Sequence, residues 1–493
     1  MLKLEEIQKF IDQDAASTKK KMAKQGLDYY EARHDIINYR VFFIDADGQL
    51  KEDKTKSNIK IAHTFYTELV DQAVQYMLSG KDGFVKSDNP ELQTELDAYF
   101  NENEDFVAEL YEVLTGAVAK GWEYMYAYKN TEGKTAFQTA DSIGVIEVRA
   151  KETDDGCEYV IYWYIDRIGK DNKRIKRIQV WDKTQTTFFV QEDDGRIEPD
   201  NCFEHPQGTF TNVRPHAIYK KDGDESTYYE DFGFIPFFRL DNCKKQSSGL
   251  MPIKALIDDY DLMSCGLSNN IQDTNEALYV VKGFQGDNLD ELMLNVKAKK
   301  HIGVDEDGGI EVHTVDIPYQ ARQTKLDLDE KNIYRFGMGF NSAQLGDGNI
   351  TNIVIKSRYA LLDLKCNKLE IRLKQFMRKL LKIVLKEIND MNGTDYQMKD
   401  VYFDFEREVM TNSADNAQIE LTYTQKQQTQ ITTLLNIASY LDNETLMQNI
   451  CDILDIDYDD IKDKLPQPEE SDPYSAMNAE LDAIPAEDGD VIE

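Results

Sequence analysis

Several short clusters in this 493-residue sequence carry residue types that could do chemistry, and each makes its own demand on its surroundings. Asp141, Glu147 and Arg149 have the alternation of a strand edge. They loosely match the acidic set of metal-dependent nucleases, in which carboxylates hold Mg²⁺ and a cation stabilises the transition state. Such sites place lysine last rather than arginine, and polar residues alternating along a strand surface are the simpler reading. Gly133-Lys134-Thr135 has the end of a phosphate loop, but that loop needs a glycine five residues before Gly133, where Tyr128 stands. It reads instead as a hairpin turn between strands around Tyr124 and Phe137. Gly337-Met338-Gly339 follows a helical stretch rather than a strand, so it marks a helix end and not a dinucleotide fingerprint. Asp455, Asp457 and Asp459 open with calcium-loop spacing, yet Asp460 replaces the required glycine and Pro466 the bidentate glutamate. The six histidines form no H-E-x-x-H, and no G-x-S-x-G elbow exists. The expectation is a chain without metal, cofactor or catalysis.

Charge narrows the field further. With 57 basic against 91 acidic side chains, the formal charge of -34 argues against a groove that grips DNA phosphates. It suits a surface past which DNA slides, because a negative wall releases no counterions. One segment departs from this: ten cations lie between Lys356 and Lys386, of which Lys356 and Arg358 are candidate DNA-facing groups. The plainer reading of that basic face is solvation or pairing between subunits. The six cysteines form no C-x-x-C pair, which fits a reducing cytosol. No apolar run reaches membrane-helix length, and the first residues lack a secretory apolar stretch, so no membrane partner is expected.

The elements that must position these residues follow from periodicity. From Lys3 to Gly80 the pattern is mainly helical, with Ile59, Ala62, Phe65, Leu69, Ala73 and Tyr76 at three- and four-residue spacing. A helix over Phe106 to Lys120 stops at Gly121. Residues 124 to 240 are β-rich and punctuated by Asp-Gly and Glu-Gly turns. The strand-like Phe234 to Phe238 closes that module, and Lys244 to Gly249 reads as a linker or hinge. A helix over Met251 to Thr274 precedes a small segment with a strand at Ala277 to Lys282, a short helix at Leu289 to Ala298, and a hairpin of His301 to Val304 with Ile310 to Val315. Another helix covers Tyr319 to Phe336. The longest periodic segment, Asn352 to Asn392, carries a heptad-like seam of Leu362, Cys366, Leu369, Leu373, Phe376, Leu380 and Ile383. At 1.5 Å per residue it spans roughly 60 Å. Helices at Asn416 to Tyr440 and Glu444 to Leu454 lead into a tail from Pro466 without Lys or Arg, whose composition is that of disorder. The whole is a mixed α+β chain.

The order of motifs resembles the portal proteins of tailed phages, in the branch found in long-tailed phages of Gram-positive hosts. The matching pieces are Tyr29-Tyr30 with His34-Asp35-Ile36-Ile37, Asn58-Ile59-Lys60-Ile61 leading to Phe65, and Gly121-Trp122-Glu123-Tyr124-Met125-Tyr126. Gly233 to Phe238, Leu256 to Leu262 with its Asp258-Asp259-Tyr260-Asp261, and Ser268-Asn269-Asn270 complete them. The resemblance implies a dodecameric ring at one capsid vertex through which double-stranded DNA is packaged and ejected. It assigns residues 1–250 to the wing, 251–274 and 319–344 to stem helices, 275–318 to the clip, and 345–351 to the tunnel loop. Residues 352–410 complete the wing, 411–465 form the crown and 466–493 an acidic tail. The loop residues facing DNA are Leu345, Gly346, Asp347, Gly348, Asn349, Ile350 and Thr351. Clip residues that dock motor or adaptor are Asn295, Lys297, Lys299, Lys300, Asp305, Glu306 and Asp307. Implied partners are further copies of the chain, DNA, the terminase large subunit, major capsid and scaffolding proteins, and head-completion proteins. The place implied is the virion, with assembly in host cytoplasm. A metal-dependent nuclease and a coiled-coil scaffold without a channel are the alternatives.

Overall fold

The computed structural model describes residues 2–45, 47–54, 56–81, 83–151, 156–168, 174–193, 195–201, 203–204, 208–220, 226–273, 278–282, 308–313, 318–341, 352–408, 413–454, 456, 458 and 462. Two N-terminal helices, α1 (Leu4–Ala16) and α2 (Thr18–Tyr30), meet at Ser17, whose hydroxyl accepts from the Lys20 amide and caps the second. From residue 31 to 64 the helical reading fails apart from one 3-10 turn at Asp35–Asn38. That stretch holds a small hairpin (Phe42–Ile44 with Leu50–Glu52) and an extended run over 57–63; helix α3 starts only at Phe65 and ends at Met77. Ile59 and Ala62 kept the helical spacing by chance, because an isolated apolar pair does not fix a period.

After α4 (Pro90–Leu96), α5 (Glu104–Lys120) begins at the Asn103 cap and stops at Gly121, whose φ of +104° only glycine takes readily. Strands β1 (Trp122–Lys129), β2 (Thr135–Ala140) and, later, β10 (Phe237–Asp241) form one antiparallel sheet in the order β10-β1-β2. A second antiparallel sheet runs β6 (Gln185–Glu192), β5 (Arg174–Trp181), β4 (Cys157–Ile168), β3 (Val145–Arg149). Its β6 edge also pairs with Glu198–Pro199 and with β7 (Val213–Pro215), and a hairpin of β8 (Ala217–Lys220) and β9 (Thr227–Glu230) follows. The closing strand starts at Phe237 rather than Phe234, three residues later than expected.

Residues 244–249 are no hinge. The Ser248 hydroxyl donates to the Ala119 carbonyl, the Gly249 amide donates to the Val118 carbonyl, and Ser248 is buried under the Tyr66 hydroxyl. A lysine and serine-rich composition misled here because the chain satisfies its polar groups internally. Helix α6 (Lys254–Asp273) leads to strand β11 (Leu278–Lys282), which pairs with β12 (Gly309–His313). Among the described residues β12 pairs with β11, and the strand expected at 301–304 lies outside the described residues. Helix α7 (Tyr319–Gly337) and the 41-residue α8 (Asn352–Asn392) match their expected bounds closely.

The main core gathers α3, α5, the near face of β1, the first turns of α6, the last turn of α7 and the seam of α8. Leu362, Cys366, Leu369, Leu373, Phe376 and Leu380 are all buried there, with Ile383 packed at its margin. The heptad seam is thus consumed inside the chain, and a coiled coil between chains has nothing left on that face. Helices α9 (Ser413–Asn436) and α10 (Asn443–Leu454) belong to a separate compact unit.

Candidate functional site

Four of the sequence motifs meet along α6, those of Tyr29 to Ile37, Asn58 to Ile61, Leu256 to Leu262 and Ser268 to Asn270. Residues 57–63 run extended along this helix, and their alternate amides find one side chain per helical turn. Ser57 N–H donates to Asp273 at 3.1 Å, Ile59 N–H to Asn269 at 2.6 Å, Ile61 N–H to Cys265 at 3.2 Å and His63 N–H to Asp261 at 3.0 Å. The match is geometric: four helical residues rise about 6 Å, and two extended residues cover about 6.6 Å.

Asp261 is fully buried and lies between two imidazoles, with His34 Nδ1 at 2.6 Å and His63 Nδ1 at 2.7 Å. Burial pushes its carboxyl up, but the hydrogen bonds from His34 and His63 outweigh that and hold it below the usual carboxylate range. One turn earlier the Tyr29 hydroxyl donates to Asp258, and Lys254 bridges Asp258 and Asp35 at 2.6 Å each. On the other side, Lys325 of α7 joins Asp259 and Asp329, tying the two helices together.

The second half of the site is the end of α7. Gly337 closes the helix, Met338 takes a left-handed φ of +56°, and Gly339 follows. A methyl on Gly337 would stand 2.6 Å from Leu69 Cδ1 and one on Gly339 2.0 Å from Leu69 Cδ2. The two glycines therefore straddle a buried leucine of α3. The Gly-Met-Gly motif is a close-packing device at a helix end, as its context implied.

Gln72 then holds both backbone groups of Phe340, accepting from its N–H at 2.9 Å and donating to its carbonyl at 2.7 Å. The Tyr334 hydroxyl donates to Glu68, and the Phe340 ring stacks on Tyr359 of α8 at 4.9 Å. Lys365 of α8 turns its amine inward to the carbonyls of Gly337 and Leu69, at 3.2 and 3.3 Å. With no carboxylate beside it, burial lowers this amine to about 8. The chain is thus clamped to α3 and α8 immediately before residue 342.

Leu345 to Thr351 themselves lie outside the described residues, as do Asn295 to Lys300 and Asp305 to Asp307. Lys356 is exposed, and Arg358 is half-buried with a partner of its own. Lys365, grouped by sequence with the solvated cations, is the exception, half-buried with its amine on two backbone carbonyls. The nuclease set does not assemble. Asp141 accepts from Lys120 at 2.7 Å, and Glu147 from Arg239 at 2.6 Å. No cluster of three metal-ligating side chains occurs among the described residues. Each carboxylate already neutralises a cation from a different element, which explains an acidic pattern without chemistry. Lys120 also meets the buried Glu123, whose carboxyl burial pushes up to about 7 against the pull of that lysine.

Sequence reasoning missed the Asp261 node, although its members stood in the motifs quoted above. Tyr29, His34, Ile59, Asp258, Asp261 and Asn269 are scattered over 240 positions, and only folding brings them together. Compared with known proteins, residues 9–463 match the family model described as phage portal protein, SPP1 Gp6-like. The chain belongs to the phage portal protein family. A portal protein of Bacillus phage SPP1 is 27% identical over 375 residues, covering 76% of this chain and 70% of the relative. A portal protein of Clostridium phage phiCD119 is 23% identical over 433 residues, covering 85% and 89%. Portal proteins are structural components of the virion that form ring oligomers in phage heads.

Proposed function

We propose that this chain forms a dodecameric ring whose axial channel passes double-stranded DNA into the head during packaging and out during ejection. Residues 251–274 and 319–344 serve as its stem, 275–318 as the clip docking the terminase large subunit and later the head-completion proteins, and 411–465 as the crown. Capsid and scaffolding proteins meet its outer surface. ATP hydrolysis belongs to the separate motor subunit, since this chain has no phosphate loop.

The observation that carries the reading is the anchoring of residues 337–340 to α3 and α8 immediately before residue 342. A loop that touches a moving duplex needs an anchored approach and permissive residue types, and Gly346, Gly348 and Asn349 are such types. Leu345, Asp347 and Ile350 are poor phosphate ligands, so contact stays weak. Lys356 and Arg358, near the start of α8, are the cations closest in sequence to that loop. Deleting residues 346–351 is the test. Rings should persist by negative-stain microscopy while heads fail to fill or hold DNA. Heads that fill and retain their genome normally would remove the tunnel assignment, and particles without a pore would remove the ring.

A further inference from the structure

One face of α8 is left over after the core is built. From Leu361 to Lys386 the residues on this arc are Leu361, Leu364, Lys368, Ile371, Arg372, Gln375, Lys379, Lys382 and Lys386, stepping by three and four and containing no acid. Leu361, Leu364 and Ile371 are 38%, 53% and 60% exposed. Lys368, Lys379, Lys382 and Lys386 are exposed and enter no ion pair among the described residues, although the last three border a groove that Glu132, Glu230 and Asp231 also line. The four lysines extend over about 27 Å of helix. In a chain of net charge -34 this is an anomaly in both sign and polarity.

A complementary surface exists on the same chain. Residues 87–119 contain nine acids and not one Lys or Arg. Asp88, Glu91, Glu102, Glu104, Asp105 and Glu112, on and around α4 and α5, are exposed and take part in no ion pair among the described residues. Two different patches of opposite charge on one molecule are what a heterologous contact uses, the kind that closes into a ring.

We infer that the basic and aliphatic face of α8 docks on the acidic α4–α5 ridge of a second copy of this chain. The inference rests on the ring reading above and names the surfaces that would make it. Nucleic acid is the competing occupant of a lysine row. Three exposed aliphatic side chains interleaved with the lysines favour protein, because phosphates offer them nothing and a neighbouring subunit covers them. Opposite charge also offsets the mutual repulsion of strongly acidic copies and fixes their order around the ring.

The experiment uses the full chain and two charge-reversed variants, Lys379→Glu/Lys382→Glu/Lys386→Glu and Glu102→Lys/Glu104→Lys/Asp105→Lys. Circular dichroism and melting establish that both fold, and light scattering after size exclusion reads assembly. Each variant alone should need a ~100-fold or higher concentration to form rings. Mixed in equal amounts they should assemble again, since each now offers what the other lacks. Rings formed by the lysine-reversed variant alone at wild-type concentration would overturn the proposal, as would a mixture that stays unassembled. A lysine-reversed variant that assembles normally but no longer retains DNA would hand the face to nucleic acid. A wild-type chain that forms no ring would sink the ring reading itself, a result distinct from all of these.

Discussion

Gly339 offers a sharp test of the α7 clamp, because the structure isolates one steric contact. Its φ lies outside the left-handed region, so alanine adds no backbone strain there. The whole cost of Gly339→Ala is a methyl 2.0 Å from Leu69 Cδ2 and 3.1 Å from Gln72 Oε1. Leu69 is only 1% exposed and has no room to turn away. Overpacking of this kind costs about 1–3 kcal/mol. Leu69→Ala alone opens a cavity and costs about 2–5 kcal/mol. In the double variant the new methyl enters the space that leucine vacated, so its loss should fall short of the sum by about 1–2 kcal/mol. Urea denaturation followed by circular dichroism, at one protein concentration throughout, measures all four corners of the cycle. Additive losses, within about 0.5 kcal/mol, would mean the two side chains do not share that space and the clamp is drawn wrongly.

Three further outcomes follow from buried charges. The Lys365 amine titrates lower in the folded chain than when unfolded, so the unfolded state binds more protons between pH 8 and 10.5 and stability should rise with pH across that window. Lys365→Met should flatten the rise, which is at most ~3 kcal/mol, in urea titrations run from pH 7.5 to 10. Glu123 shifts the other way: its folded carboxyl holds the proton more tightly, so stability should fall as pH rises from 4.5 to about 7. Glu123→Gln keeps an acceptor for the Ser142 amide and should lose that slope, read by the same titration. Asp261→Ala should cost about 3–5 kcal/mol by leaving two imidazoles without their acceptor. In the wild type the depressed Asp261 contributes stability above the ordinary carboxylate pKa and loses it as pH falls, so the variant's deficit should shrink on acidification.

Long periodic elements were legible in the sequence. The α8 seam announced itself through seven apolar positions, and Gly121 marked the end of α5 because only its conformation fits there. The segment 31–64 was not, since its order comes from side chains of α6 two hundred residues away rather than from local pattern. Lys365 was misread for a related reason: composition places lysine at the surface, and nothing local reveals that its amine ends on two inward-facing carbonyls. The loop and clip residues were named by resemblance to the family and lie outside the described residues.

The strip over 57–63 can be viewed as a carriage on a rail. Its rail, α6, offers acceptors at equal intervals, so sliding by one turn would meet another acceptor and change the hydrogen-bond count by only one. Such a rail has no preferred stop of its own. The stop is supplied at one end, where two imidazole rings close on a single carboxylate that no neighbouring turn can imitate. Any change that frees those rings releases the position of the whole strip along the helix, not one contact.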